Sequence, residues 1–125
     1  MTSGKFVTSI CCMDGRIQLP VDKWIKENYS ADYIDTITEP GMEKRVSEGV
    51  DTDWLKTKTN ISISKHNSNL IVISAHHGCA GNPVSKEEQV EQVKKSVTVI
   101  KSWNVTDNVI GIYVNDKWEI EEVKG

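Results

Sequence analysis

The sequence predicts an α/β fold in which helices flank a mostly parallel central sheet, with a C-terminal hairpin at the sheet edge. Strand-like runs alternate with helical patterns along the 125 residues, and this order is typical of βαβ units with right-handed crossovers. The segment Leu70 to Ala75 reads LIVISA, a nearly continuous apolar run expected of a parallel strand covered on both faces. Two β-rich runs near the C-terminus flank Asn115-Asp116-Lys117, which indicates a closing hairpin.

The first half of the chain reads as strand, helix, strand and a longer helical region. Phe6 to Cys12 is short, apolar and rich in β-formers, so it predicts the first strand. Pro20 stands where a first helical turn would begin, and it predicts the start of a helix. Tyr33 to Thr38 predicts a second strand, which the turn signal Pro40-Gly41 closes. From Glu43 to about His66 the sequence favours helix with weak periodicity.

The second half contains the most regular helical pattern. Ser85 followed by Glu88 is a capping box, and it predicts a helix that runs to about Trp103. Apolar residues recur at helical spacing along this segment and are expected to face the core: Val90, Val93, Val97 and Ile100. The strands of the predicted hairpin are Val109 to Val114 and Trp118 to Val123.

Composition limits the classes of function that the chain can serve. Its length suits one domain, residues 1–125, and the formal net charge of -3 provides no basic surface for nucleic acid. No apolar run approaches the roughly 20 residues that span a bilayer, so we expect no membrane association and a cytoplasmic location. Three cysteines, two of them adjacent, do not form a disulfide framework and favour metal binding or catalysis.

Two short clusters, CMDGR at 12–16 and HHGC at 76–79, follow predicted strands. Two thiolates and one imidazole suit Zn²⁺, and three protein ligands leave a fourth position for water. In parallel sheets, ligands bind beyond the carboxyl ends of the strands where the strand order reverses. Cys12, His76 and Cys79 therefore meet if the first and third strands are neighbours, and the sequence predicts one zinc ion per chain.

The two clusters resemble the motifs of the β-class carbonic anhydrases, Cys-x-Asp-x-Arg after the first strand and His-x-x-Cys after a later one. Both motifs occur here in the same order. The resemblance implies a carbonic anhydrase-like zinc-binding domain, a lyase that reversibly hydrates carbon dioxide to bicarbonate. It implies that Cys12, His76 and Cys79 bind zinc. It also implies that Asp14 and Arg16 form a catalytic dyad beside the metal.

The implied chemistry begins with a zinc-bound hydroxide. Zinc lowers the pKa of bound water from 15.7 to about 7, so a nucleophile for carbon dioxide exists at neutral pH. Asp14 is placed to accept a hydrogen bond from that water, and Arg16 to hold the carboxylate. Family members with an inactive arrangement use the aspartate as the fourth zinc ligand, so the resemblance also implies a pH-dependent switch between open and closed sites.

Two alternatives keep the metal and change the function. Carbonyl sulfide and carbon disulfide hydrolases share these motifs, and turnover of carbonyl sulfide against carbon dioxide would separate them. A non-catalytic zinc module would instead have a closed site, with Asp14 or Cys11 as the fourth ligand. His77 is either a loop residue or a proton shuttle. The metal in the cell is zinc or another divalent ion such as Co²⁺ or Fe²⁺.

The resemblance also implies a small-molecule substrate and a homodimer or larger homo-oligomer, because the family builds active sites at dimer interfaces. The chain departs from the family pattern in the loop after the second strand, where Glu39-Pro40-Gly41-Met42 replaces an Asn-Ala-Gly-Asn-like sequence. Cys11 is expected to be a buried packing residue. The four tryptophans, Trp118 among them, are expected to pack in the core or at interfaces.

Overall fold

A five-stranded sheet forms the centre of the computed structural model, which describes residues 4–124. The elements in chain order are β1 Phe6–Cys11, α1 Gly15–Tyr29, β2 Tyr33–Thr38, α2 Met42–Glu48, α3 Asp53–Lys65, β3 Ile71–His76, α4 Lys86–Lys101, β4 Val109–Val114 and β5 Ile120–Val123. The strand order is β2-β1-β3-β4-β5, with β1 to β4 parallel and β5 antiparallel to β4. The predicted α/β class, the mostly parallel sheet and the C-terminal hairpin are confirmed.

The strand order reverses between β1 and β3. The chain passes from β1 to β2 on one side and then crosses to β3 on the other side of β1. In register, Thr8 pairs with Ile71 and Ile10 with Ile73, so both strands run toward the same edge. This edge is a topological switch point, where α/β sheets place their ligands.

Helices cover both faces of the sheet. On one face α1 contributes Ile17, Val21 and Ile25, all buried, to an apolar cluster. On the other face α2, α3 and α4 contribute a second cluster, which includes Met42, Val46, Leu55, Val93 and Ile100. Cover on both faces explains why β3 is buried along its whole length and why its sequence does not alternate.

The first helix begins five residues earlier than predicted, at Gly15 rather than Pro20. Asp14 is its N-cap, and its side chain accepts a hydrogen bond from the backbone N–H of Arg16 at 2.9 Å. Pro20 lies inside the helix, in its second turn. Both aspartate and proline are helix-start signals, and here Asp14 rather than Pro20 sets the first residue of the helix.

The helical region predicted from Glu43 to about His66 is two helices, α2 and α3, separated by residues 49–52. Gly49 ends α2 in the left-handed conformation, with φ of 67°, and its N–H bonds to the carbonyls of Arg45 and Val46. Asp51 also has a positive φ, 55°. Two left-handed residues within three positions turn the chain, which explains the weak helical periodicity.

Smaller differences concern the ends of elements. Ser85 caps α4 as predicted, accepting from the N–H of Glu88 at 3.1 Å, and the helix ends at Lys101 rather than about Trp103. β5 begins at Ile120 rather than Trp118, because Asn115 Oδ1 accepts the N–H groups of both Lys117 and Glu119 and extends the turn. Among residues 4–124, no helix is both long and apolar enough to cross a bilayer.

Gly111 in β4 lets α4 approach the sheet closely. A Cβ at this position would overlap Val93 Cγ1 and come within 3.4 Å of Val97 Cγ2. We expect Gly111→Ala to lower the free energy of unfolding by about 1–3 kcal/mol, the usual cost of overpacking a core. Urea denaturation measures this value. Gly15→Ala, which meets nothing within 4 Å, is the control and should cost nothing; equal stability of the two variants would contradict the prediction.

Candidate metal centre

The three predicted ligands lie together at the switch point. Cys12 directly follows β1, His76 is the last residue of β3, and Cys79 lies in the loop that follows β3. The two Sγ atoms of Cys12 and Cys79 are 3.9 Å apart, and the ligand atoms of all three residues lie within 4.8 Å of one another. All three side chains are buried. The fold therefore assembles two thiols and one imidazole in a group that could hold a metal ion.

The orientation of His76 fits a metal ligand. Its Nδ1 donates a hydrogen bond to the carbonyl of His77 at 2.8 Å, which leaves Nε2 as the acceptor atom. That Nε2 is buried and has no hydrogen-bond partner among the described residues. A metal-bound histidine typically bonds its other ring nitrogen to a carbonyl or carboxylate in this way. With two thiols beside it, the donor set fits zinc.

The Cys79 thiol is protonated at neutral pH. Burial, followed by the nearby Cys12, raises the pKa of the Cys79 thiol from 9.0 to about 11. Burial also raises the pKa of Cys11 to about 11. Because a metal binds the thiolate form, loading of this centre must release protons to solvent.

Asp14 and Arg16 form a bidentate ion pair beside the three ligand atoms. Arg16 Nη2 donates to Asp14 Oδ2 at 2.7 Å and Arg16 Nε donates to Oδ1 at 3.0 Å. With the backbone N–H of Arg16 also bonded to Oδ1, these contacts lower the pKa of Asp14 from 3.8 to about 2. The aspartate is therefore ionised throughout the neutral range, and its Oδ2 lies 4.0 Å from His76 Nε2.

The guanidinium group of Arg16 is fixed from two further directions. Nη2 donates to the carbonyl of Gly78, in the loop that carries Cys79, at 3.2 Å. The guanidinium also lies over the ring of Trp118, with 4.9 Å from Cζ to the ring centroid. Arg16 thus connects α1, the loop that carries Cys79 and the β4–β5 turn. Trp118 was predicted only to pack in the core or at an interface, and its contact with Arg16 was not predicted.

The divergent loop 39–42 packs directly on the loop of Cys79. Gly41 has φ of 59°, and a Cβ there would lie 2.6 Å from the carbonyl oxygen of Gly81. A Cβ on Gly81 would in turn lie 2.8 Å from the nitrogen of Gly41. The two backbones approach this closely only because both residues are glycine. The loop after β2 therefore supports the segment that carries the third predicted ligand, Cys79.

The remaining cysteine, Cys11, and the remaining histidines, His66 and His77, do not belong to the group of three predicted ligands. Cys11 is buried, and its thiol donates to Gln18 Oε1 at 3.8 Å. The exposed side chain of His77 lines a surface cleft that also includes Lys86 and Tyr113. His66 bonds through Nδ1 to Asp35 Oδ2 at 2.6 Å. A proton-shuttle role for His77 stays a prediction.

The fold and the site define the class of this protein: an α/β domain with a mostly parallel sheet and a Cys/His/Cys group at its switch point. Comparison with protein families narrows the class. Residues 2–124 match the family described as "Putative carbonic anhydrase". The chain belongs to this carbonic anhydrase family. A search of curated proteins finds no significant match.

Solved carbonic anhydrases share the fold at low sequence identity. The carbonic anhydrase of Streptococcus mutans is 17% identical with a TM-score of 0.66, covering 94% of this chain and 81% of that one. The β-carbonic anhydrase isoform I of Trichomonas vaginalis is 13% identical with a TM-score of 0.66, covering 98% and 86%. A structure from a study of two tetrameric β-carbonic anhydrases of Sordaria macrospora is 12% identical with a TM-score of 0.50, covering 100% of this chain and 83% of that one.

Proposed function

We propose that the protein is a zinc-dependent carbonic anhydrase that reversibly hydrates carbon dioxide, with Cys12, His76 and Cys79 as metal ligands. The observation that carries the proposal is the buried, unpartnered Nε2 of His76, which lies in a group with two thiols, all ligand atoms within 4.8 Å. A buried acceptor with no partner costs about 1–3 kcal/mol. A metal ion at this position satisfies the imidazole and both sulfur atoms together.

The proposed roles of Asp14 and Arg16 follow from their contacts. Zinc, when bound, supplies a water with a pKa near 7 and so a nucleophile for carbon dioxide at neutral pH. Asp14 contributes an ionised hydrogen-bond acceptor at the edge of the ligand group. Arg16 holds that acceptor with a bidentate bond and is itself fixed by Gly78 and Trp118. The dyad orients a proton donor in the site without changing its own protonation.

The same contacts favour an open site over the closed, non-catalytic one. To become a fourth ligand, Asp14 would have to give up bonds from the Arg16 side chain, 2.7 Å and 3.0 Å long. Charge-assisted bidentate bonds of this kind are among the strongest side-chain hydrogen bonds. Cys11 is bonded to Gln18 and lies outside the ligand group, so it is also not poised to close the site.

The proposal predicts carbon dioxide hydration that increases with pH. Stopped-flow assays from about pH 6.5 to 9 bracket the pKa near 7 of zinc-bound water, and should be run on protein with verified zinc content. We expect a sigmoidal rise with one titration. Carbonyl sulfide should be assayed in parallel on the same preparation. Hydrolysis of carbonyl sulfide with no carbon dioxide hydration would identify carbonyl sulfide, and not carbon dioxide, as the substrate. Inactivity toward both compounds would favour a structural metal site.

We also propose that the chain acts as a homo-oligomer. The Sordaria macrospora structures are described as tetrameric β-carbonic anhydrases. In the present chain β2 lies at one end of the sheet order, and its first residue, Tyr33, is exposed. Sedimentation velocity on the purified protein tests this proposal, which predicts a mass of at least two chains.

A further inference from the structure

The side chain of Gln18 makes hydrogen bonds to three groups in residues 11–14, the segment that carries the first proposed ligand. Its Nε2 donates to the carbonyl oxygens of Cys12 and Asp14, each at 3.0 Å. Its Oε1 accepts from the Cys11 thiol at 3.8 Å. One partly buried carboxamide therefore contacts three of the four residues between positions 11 and 14. The sequence motif does not include this residue, and no part of the function proposed above assigns it a role.

We propose that Gln18 is a positioning residue for the metal centre, setting the bend between Cys12 and Asp14. The chain leaves the extended conformation of β1 at Cys11 and enters α1 at Gly15, so only three residues make the turn. Two carbonyls must point to one side of this turn for a single amide to bond both. With those carbonyls held, the Cys12 thiol stays in the ligand group and the Asp14 carboxylate stays at its edge.

Gln18 also separates the two adjacent thiols. Cys11 and Cys12 are chemically identical and both buried, yet only Cys12 lies with His76 and Cys79. The contact with Gln18 Oε1 engages the Cys11 thiol on the side of α1. The same carboxamide thus retains one thiol away from the metal and fixes the backbone of the other. Gln18 acts on the metal through Cys12 and Asp14 and does not contact the three ligand atoms itself.

The proposal rests on the metal centre proposed above, and its test is metal affinity, measured without reference to turnover. Gln18→Met keeps the side-chain length and removes both donor bonds. Cobalt affinity, measured by competition with a chelator, should fall roughly 10- to 100-fold, the usual effect of losing an outer partner of a metal ligand. The visible absorption of the cobalt protein should also change, because the geometry of Cys12 changes.

Two further variants make the test specific. Gln18→Glu keeps an acceptor for the Cys11 thiol and lacks the amide donor, so it should lose as much cobalt affinity as Gln18→Met. Asn28→Leu is the matched control, since Asn28 Nδ2 donates to the carbonyl of Trp24 at 2.9 Å near the other end of α1. This control should leave cobalt affinity and the spectrum unchanged while removing a comparable bond from the same helix.

The outcomes separate this proposal from the proposed function. Cobalt affinity within about twofold of the unsubstituted protein in both Gln18 variants would overturn the positioning role, as would an equal loss in Asn28→Leu. If Gln18→Met fails to fold, the Gln18→Glu variant decides alone. Absence of carbon dioxide hydration in the unsubstituted protein would overturn the proposed function, while the difference in cobalt affinity between the variants would still decide the role of Gln18.

Discussion

Replacing Cys79 with serine is expected to remove the metal from the protein and abolish carbon dioxide hydration. A hydroxyl is a poor substitute for a thiolate, and the two remaining donors, Cys12 and His76, leave the ion with incomplete coordination. The loss of affinity should exceed the roughly 10- to 100-fold effect of removing an outer-shell partner. Elemental analysis after dialysis against a chelator, together with stopped-flow hydration, measures both effects.

Cys11→Ser is the matched control for this prediction. It makes the same chemical change at another buried cysteine, which belongs to the same apolar cluster but not to the ligand group. We expect this variant to retain one metal ion per chain and most of its activity. A Cys79→Ser protein that keeps stoichiometric metal, or a Cys11→Ser protein that loses it, would show that the ligand set is wrong.

Replacing Arg16 with glutamine is expected to reduce carbon dioxide hydration about 100-fold, within the range that positioned proton-transfer groups contribute. The activity should fall because Asp14 loses its fixed position, and not because Asp14 loses its charge. Without Arg16 the pKa of Asp14 should rise from about 2 toward its ordinary value of 3.8, so the carboxylate remains ionised at neutral pH. The change frees Asp14 from its bidentate partner, and it can then turn toward the metal ligands.

The pH dependence of stability checks this explanation. A carboxyl group with a lowered pKa stabilises the folded state above its unfolded pKa, and this contribution is lost as the pH falls toward about 2. The stability difference between the unsubstituted protein and Arg16→Gln should therefore be constant from about pH 6 to 9 and shrink below about pH 4. Thermal melts across this range provide the measurement.

Lys23→Gln is the control for loss of a positive charge from α1. Lys23 is exposed, and its Nζ lies 3.9 Å from Glu27 Oε1 in a weak surface ion pair. Its loss should leave hydration unchanged within about twofold. Equal loss of activity in Lys23→Gln and Arg16→Gln would assign the effect to the net charge of the helix and would contradict a specific role for the dyad.

The order of strands and helices could be predicted from the sequence because each depends on local pattern. The bounds of β2 and β4 agree with the prediction, since both are short β-rich runs between turn signals. The start of α1 could not be predicted from Pro20 alone. Proline favours the first turn of a helix but does not determine which residue is first. In α1 the side-chain cap of Asp14 determines the first residue.

The candidate site could be predicted in part. Cys12, His76 and Cys79 were found from residue type and position at strand ends, and Asp14 and Arg16 from the resemblance. Gln18 and Trp118 were not found, because their contacts depend on the conformation of a turn and on the placement of the β4–β5 hairpin beside α1. Trp118 is distant in sequence from Arg16, so no local signal identifies their contact. Gln18 is close in sequence to Cys12 and Asp14, but its residue type alone does not show that the bend before α1 turns both carbonyls toward it.

The separation of the ligands along the chain has a consequence for the order of folding. Cys12 and Cys79 are 67 positions apart, and the chain between them contains α1, β2, α2, α3 and β3. During synthesis, more than half of the polypeptide is therefore made after Cys12 and before Cys79. Parallel pairing of this kind is slow to form. If the proposed ligand set is correct, metal binding follows the pairing of β1 with β3 and is a late step in folding.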